Sequence, residues 1–360
     1  MWPYWFLFLV PAVQAVVKLR PVALALHGKH WSAPWRIVFI LLTLMIGLRH
    51  EVGGDWASYL ASIESMTNLS LGDAISRKRA DPADSLLSWF AEQLGYGVYL
   101  VNCVYAILFS WGLLTFCRKQ PRPWLALTVA VPYLITVVAM GYSRQGVAIG
   151  VVMLGLVALE NKNTPKFVVW ITLAAMFHKS AVILFPLAVL AGTQRRLLTQ
   201  FWVGVTAVLL LGLLSQEYVD NLVAGYITEQ YESAGAAIRI SMNALPALIF
   251  LVRRQKFQLQ PAQQKFWTCM AWGALAFVVL LYVSPSSTAV DRVALYWIPL
   301  QLFVWSRVPD AMGRPGEKNA GWVYAVVFYS MAVHFVWLFF AVHSKYWLPY
   351  QFYLWVWLWR

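Results

Sequence analysis

The chain is poor in charge. Only 12% of its 360 residues are Asp, Glu, Lys or Arg, about half the share of an ordinary soluble domain. Acids are scarcest, 15 against 28 Lys and Arg. Cysteine is nearly absent: Cys103, Cys117 and Cys269 sit in or beside apolar runs with no paired spacing, which excludes a disulfide framework and a cysteine zinc motif. There is no phosphate-cradling glycine loop of the Walker or dinucleotide type, no His-Glu-x-x-His, no nucleophile elbow and no Asp-x-Asp pair. ATP, zinc and hydrolase chemistry therefore lack their usual signatures, and no cofactor or metal is expected.

What the chain has is apolar sequence from end to end: 61% hydrophobic, 16% aromatic. This pattern predicts an all-α polytopic transmembrane bundle, because a lipid-exposed backbone must satisfy its own hydrogen bonds. About twelve spans are expected, some short or broken, near 2–17, 33–48, 96–117, 124–141, 145–159, 166–177, 180–193, 200–216, 240–252, 266–283, 292–306 and 320–342. Residues 1–342 read as one integral domain. Residues 343–360, where KYWLPYQFYLWVWLWR carries eight aromatics, read as a tail in the outer interface. The first span precedes its nearest positive charges, Lys18 and Arg20; a signal peptide has the reverse order, so a retained span with its start outside is expected.

Orientation turns on PKFVVWITLAAMFHKSAVILFPLAVLAGTQRR, which is either one long span with His178 midway or two short spans turning at His178-Lys179-Ser180. The second reading places 18 of the 28 Lys and Arg on the inner side, in agreement with the positive-inside bias. It makes Arg195 and Arg196 inner, EYVDNLVAGYITEQYES outer and RRQKFQLQPAQQK inner. The net charge of +13 then reflects inner loops, with no nucleic-acid partner. It also brings four polar stretches to the same outer face.

Ionisable groups at membrane depth are costly unless paired or hydrated, which makes those four stretches the candidates for function. GLRHEVGGDWASY offers Arg49 as a phosphate clamp, Asp55 as a base, and Gly53-Gly54 for a turn or a close approach. Its bland alternative is a capped helix end with an Arg–Asp pair. MGYSRQGVAIG places Arg144 between two apolar runs with only Tyr142, Ser143 and Gln145 as polar company. FHKSAVI offers His178 for proton transfer and Lys179 for positive potential, against a structural turn histidine. STAVDRVALYW has Asp291-Arg292 opening a helix, against a plain cap with a snorkelling Arg. SRKRADPAD, residues 76–84, reads as a solvated loop.

Taken together, Arg49 through Tyr59, Tyr142-Ser143-Arg144-Gln145, Phe177-His178-Lys179-Ser180-Ala181 and Asp291-Arg292 through Tyr296 resemble the EpsG family in order and spacing, over roughly residues 30 to 300. These are Wzy-like polymerases of bacterial exopolysaccharide synthesis. Where that family tends to have Glu-Pro before an aromatic-rich helix, this chain has Asp81-Pro82-Ala83-Asp84.

The resemblance implies a GT-C-like membrane glycosyltransferase at the outer face of the bacterial cytoplasmic membrane. Its donor would be a growing glycan on a polyprenyl diphosphate, its acceptor a sugar hydroxyl of the next lipid-linked repeat unit. A chain-length regulator is a further possible partner. Catalytic roles then fall to His178 as the first choice of base, to Asp55 as the second, and to Arg144. Arg49, Arg292, Asp291, Lys179, Tyr142, Gln145 and Tyr59 would bind substrate, with no metal. Rival readings are a transferase using a polyprenyl-monophosphate sugar, a lipid-linked sugar flippase or other transporter, and a glycan acyltransferase. No internal repeat is evident, and the polar residues gather at one face instead of at mid-membrane, which favours an enzyme over a transporter.

Overall fold

The computed structural model describes residues 1–22, 30–76, 81–187 and 235–358. Among them the chain is all-α apart from one two-stranded ribbon, and five helices are long and apolar enough to cross a membrane. Helix α1 is Trp2–Val17, and α2 is Ala33–Gly47. Three short helices follow outside the long ones: α3 (Trp56–Glu64), α4 (Leu71–Ile75) and α5 (Pro82–Gln93). Then come α6 (Gly97–Arg118), α7 (Pro123–Ala130), α8 (Ser143–Glu160) and α9 (Thr164–Phe177). The C-terminal part holds α10 (Ala236–Arg253), α11 (Pro261–Val283), α12 (Ser287–Ala294), α13 (Ile298–Trp305), α14 (Val308–Met312) and α15 (Ala320–Phe340). The expected spans at 2–17, 33–48, 96–117, 145–159 and 166–177 match helices nearly end for end. The expected span at 200–216, the outer stretch EYVDNLVAGYITEQYES (217–233) and the inner Arg195-Arg196 lie outside the described residues.

Helix α8 is the hub. It is buried along almost its whole length and packs between α6 and α9. Two glycines let it approach α6 closely: a Cβ on Gly112 would sit 1.8 Å from the Gly150 carbonyl oxygen, and one on Gly150 would sit 2.5 Å from the Phe109 Cα. Small residues at such crossings are how apolar helices associate where no hydrophobic effect drives them together. The core is one contiguous cluster running through these helices.

Helix α7 does not end where its α-helical part ends. Pro132 has no N–H to continue the ladder, and residues Val131–Ala139 adopt a wider π-helix. Two polar contacts hold the widened turn: the Thr136 hydroxyl donates to the Val131 carbonyl, and the Trp347 indole donates to the Thr136 carbonyl at 2.7 Å. This delivers the Gly141-Tyr142 corner to the start of α8.

The chain's last segment is built into that same end of the bundle. Strand β1 (Arg49–His50) pairs antiparallel with β2 (Gln351–Phe352), Arg49 opposite Phe352. Gly53 N–H donates to the Tyr346 carbonyl, Tyr353 N–H to the Leu48 carbonyl, and the Tyr350 hydroxyl to the Met45 carbonyl. Trp347 and Tyr350 are buried. The tail expected to lie in the interface thus differs over its first half, which clasps the first polar loop. Tyr353–Leu358 form a final helix, α16, whose Leu354, Trp355, Trp357 and Leu358 are exposed. The difference arises because an aromatic with a polar tip fits both a headgroup zone and a buried carbonyl.

Candidate active site

The loop after α2 turns through two left-handed residues, Glu51 and Gly53. At Gly53 the conformation and the space both exclude a side chain: φ is +106°, and a Cβ would sit 2.5 Å from the Met140 carbonyl oxygen. The loop is thereby pressed against the corner that starts α8, and Asp55 is set at the head of α3. Asp55 occupies the N-cap position but makes no side-chain cap bond, so its carboxylate is available to the cavity beside it.

That cavity holds about 240 Å³ and is lined by Asp55, Tyr59, Asp84, Asn102, Arg144 and Arg292, among others. Its wall is made by α3, α5, α6 and the start of α8, with Arg292 contributed by α12. Arg144 reaches Asp84 at 3.6 Å and Asp81 at 3.7 Å, with its guanidinium over the Tyr59 ring at 5.7 Å. These are long ion pairs, and 39% of the Arg144 side chain is exposed. Arg292 lies over the Tyr142 ring at 5.5 Å, and its carbonyl accepts a 2.5 Å hydrogen bond from the Gln145 side chain. The buried Gln145 side-chain oxygen has no hydrogen-bond partner among the described residues.

Asp81 and Asp84 overturn the expectation of a solvated loop at 76–84. Residues 77–80 lie outside the described residues, but both carboxylates are buried at the start of α5. Asp84 accepts a short hydrogen bond from the Tyr105 hydroxyl, and Asp81 accepts one from the Lys179 backbone N–H at 3.2 Å. Burial pushes the Asp81 carboxyl up to about 6, against the pull of Arg144 and with the help of neighbouring Asp84. The Asp84 carboxyl is raised by burial too, opposed by Arg144 and by Tyr105. A legible signal existed: Asp-Pro-x-Asp at a helix start puts two carboxylates one turn apart on one face.

His178 ends α9. Its extended backbone breaks the helix there, and a 3₁₀ turn, Lys179–Leu184, follows. The helix thus breaks at His178, as the two-span reading requires; where the chain goes beyond residue 187 lies outside the described residues. The imidazole Nδ1 contacts the Ser180 hydroxyl at 2.6 Å and the Tyr296 hydroxyl at 3.3 Å. Burial, then the charges of Arg144 and Arg292, push the imidazole down to about 3, so it is neutral near pH 7. Asp55 moves the other way: burial raises its carboxyl, and Arg292 and Arg144 oppose the rise.

Arg49, expected as a phosphate clamp, and Asp291, expected to bind substrate, are both taken up by protein partners. Arg49 is 1% exposed, and its guanidinium donates to the Ile46 and Val52 carbonyls, Asn102 Oδ1 and Ser143 Oγ, at 2.5 to 3.2 Å. It ties α2, α6 and α8 together behind the cavity and does not line it. Asp291 pairs with Arg239 of α10, a residue sequence reading did not single out, through contacts of 2.7 to 3.1 Å. Nor does Asp291-Arg292 open its helix: α12 starts four residues earlier, capped by the Ser286 hydroxyl.

Asp55, Tyr59, Arg144 and Arg292 therefore share one cavity. Tyr142 and Gln145 are joined to Arg292, and His178 feels the charges of Arg144 and Arg292 with no direct contact to the lining among the described residues. A family model described as EpsG family matches residues 32–352. The chain belongs to the EpsG family. The match takes in all four polar stretches and the clasp formed by β2. EpsG membership points to a polymerase-like glycosyltransferase of exopolysaccharide synthesis, and with the long apolar helices it makes this a membrane protein. No curated protein and no solved structure matches the chain.

Proposed function

We propose that this EpsG-family chain is a polysaccharide polymerase with a GT-C-like helical frame, working at the outer face of the cytoplasmic membrane. It transfers a glycan from a polyprenyl diphosphate to a sugar hydroxyl of a lipid-linked repeat unit. The observation that carries the reading is the meeting of Arg144 and Arg292 with Asp55 in one cavity. Departure of a diphosphate builds negative charge as the C–O bond breaks, and preorganised guanidiniums at a site of low dielectric stabilise it. The long Arg144–carboxylate contacts suit this task, because the donors are held in place without being saturated.

Asp55 is the first choice of base and His178 the second. A base works best when its pKa lies near the working pH. Burial moves Asp55 towards that range, whereas His178 has been moved away from it. Burial does most to keep the imidazole neutral and the two guanidinium charges add to it; a bound diphosphate would offset the charges, so His178 would regain part of its basicity with donor in place. Asp81 and Asp84 act through Arg144 as positioning residues. Asp291 orients Arg239, and Arg49 keeps the cavity wall together.

The test is incubation of the purified protein with a lipid-diphosphate repeat unit, read as a ladder of glycan lengths. A ladder from the diphosphate donor, and none from a polyprenyl-monophosphate sugar, supports the reading; the reverse outcome replaces it with the monophosphate-dependent enzyme.

A further inference from the structure

Helix α5 is built inside out. Its buried stripe is Asp81 at the N-cap, then Asp84, Ser85, Ser88 and Ala91, the spacing of one helix face. All but Ala91 are polar. The opposite side is open and apolar: Leu86 and Phe90 are exposed, and so is Leu94 just past the helix end. The remaining exposed position on α5 is Gln93, so the open side carries no charge. A helix lying on a protein in water has the reverse pattern, apolar towards the core and polar towards solvent.

The buried stripe has a partner within the chain. Asp84 and Ser88 line the candidate active-site cavity, and Asp81 and Asp84 both pair with Arg144. The open side has company of its own kind. Helix α5 packs against α9, which beyond its first turn exposes Val169 and Met176, and Ile183 is exposed in the 3₁₀ turn that follows. Two neighbouring helices thus turn uncharged apolar side chains outwards in a chain that is a membrane protein. With 12 residues α5 rises about 18 Å, too little to cross a hydrocarbon core of about 30 Å.

We infer that α5 is embedded in the membrane leaflet on the cavity's side, with Leu86, Phe90 and Leu94 in hydrocarbon, so that the partner of its open face is the bilayer itself. Polar side chains at membrane depth face the bundle interior or a hydrated cavity, which is where the inner stripe points its carboxylates. An amphipathic helix in the interface sinks its apolar face by about 5–10 Å. Helix α5 is then a partition one helix thick, about 10 Å, between the Arg144 cavity and the acyl chains. A substrate with its own hydrocarbon anchor reaches such a cavity without leaving the leaflet. The placement of α5 requires the membrane setting alone and does not depend on which group is transferred.

The first test uses the native full chain in phosphatidylcholine vesicles that contain a lipid with a diazirine on its acyl chain. After illumination, mass spectrometry should find lipid adducts on residues 82–94 at a level comparable to α9. The second uses nitroxide labels on Leu86→Cys, Phe90→Cys, Val169→Cys and Glu64→Cys, each in a chain with Cys103, Cys117 and Cys269 replaced by Ala. In the same vesicles without the diazirine lipid, oxygen should relax the labels at 86 and 90 more than a water-soluble nickel chelate does, as at Val169 on α9. The label at the exposed Glu64 should show the opposite order. Adducts on α9 with none on 82–94 overturn the proposal, as do labels at 86 and 90 that behave like the one at 64. Photo-crosslinks between two copies through α5, in place of lipid adducts, overturn it too and assign the face to a dimer.

Discussion

Arg49 and Arg144 stand at opposite ends of one short polar seam and look alike in the sequence, each an arginine where an apolar run meets water. Their surroundings are opposite. Arg49 is sealed, and its guanidinium is shared among four protein acceptors, three on separate helices and one in the loop after α2. Arg144 faces a cavity, held by two carboxylates at distances beyond a good hydrogen bond. A guanidinium at membrane depth must be compensated, but the compensation can come from the fold or be left for a ligand. Only the second kind can do chemistry on a diphosphate.

Breaking the comparison at its functional end should give the largest effect. Arg144→Ala is expected to lower polymer formation by roughly 10²–10³-fold, as loss of a transition-state donor does, with single repeat units accumulating on lipid and the protein still folded. Glycan ladders from membranes of that variant check it. Asp55→Asn should fall by about 10²-fold in turnover, and by more than His178→Ala at saturating donor if Asp55 is the base. The sealed end should behave differently. Arg49→Ala orphans buried acceptors and should cost on the order of 3 kcal/mol, seen as a lower thermal midpoint and yield, while surviving protein keeps most of its specific activity.

A smaller effect sharpens the contrast. Asp81 has a carboxyl pushed up to about 6, so it is ionised above that pH and neutral below it. Polymerisation should therefore weaken as pH falls through about 6, where Arg144 loses one of its two anchors. Asp81→Asn should lose roughly tenfold in turnover at neutral pH and flatten this acid limb, which a pH–rate profile of both proteins would show.

Much of this was legible in the sequence, for reasons the two arginines also illustrate. Apolar runs announce helices in lipid because nothing else satisfies the backbone there, and α1, α2, α6, α8 and α9 followed from that rule alone. The break at His178 was readable because three polar residues interrupt an apolar run. The company kept by each charge was not. Whether Arg49 meets a carbonyl or a cavity depends on how α2, α6 and α8 pack, and no local pattern encodes that. The Arg239–Asp291 pair joins residues 52 positions apart. Asp81 and Asp84 looked like loop acids because their neighbours are charged and their partner is Arg144, far along the chain. The tail clasp was hidden for a similar reason: Trp347 and Tyr350 have the composition of an interface belt, and only their carbonyl partners on other elements reveal burial.

The most direct measurement is the glycan ladder made from a lipid-diphosphate repeat unit by purified protein in proteoliposomes, run side by side for the native chain, Arg144→Ala and Arg49→Ala. The account predicts long products from the native chain, shorter yield but comparable lengths per folded molecule from Arg49→Ala, and unextended repeat units from Arg144→Ala. Undiminished polymer from Arg144→Ala, with Arg49→Ala folded and inactive, would contradict it.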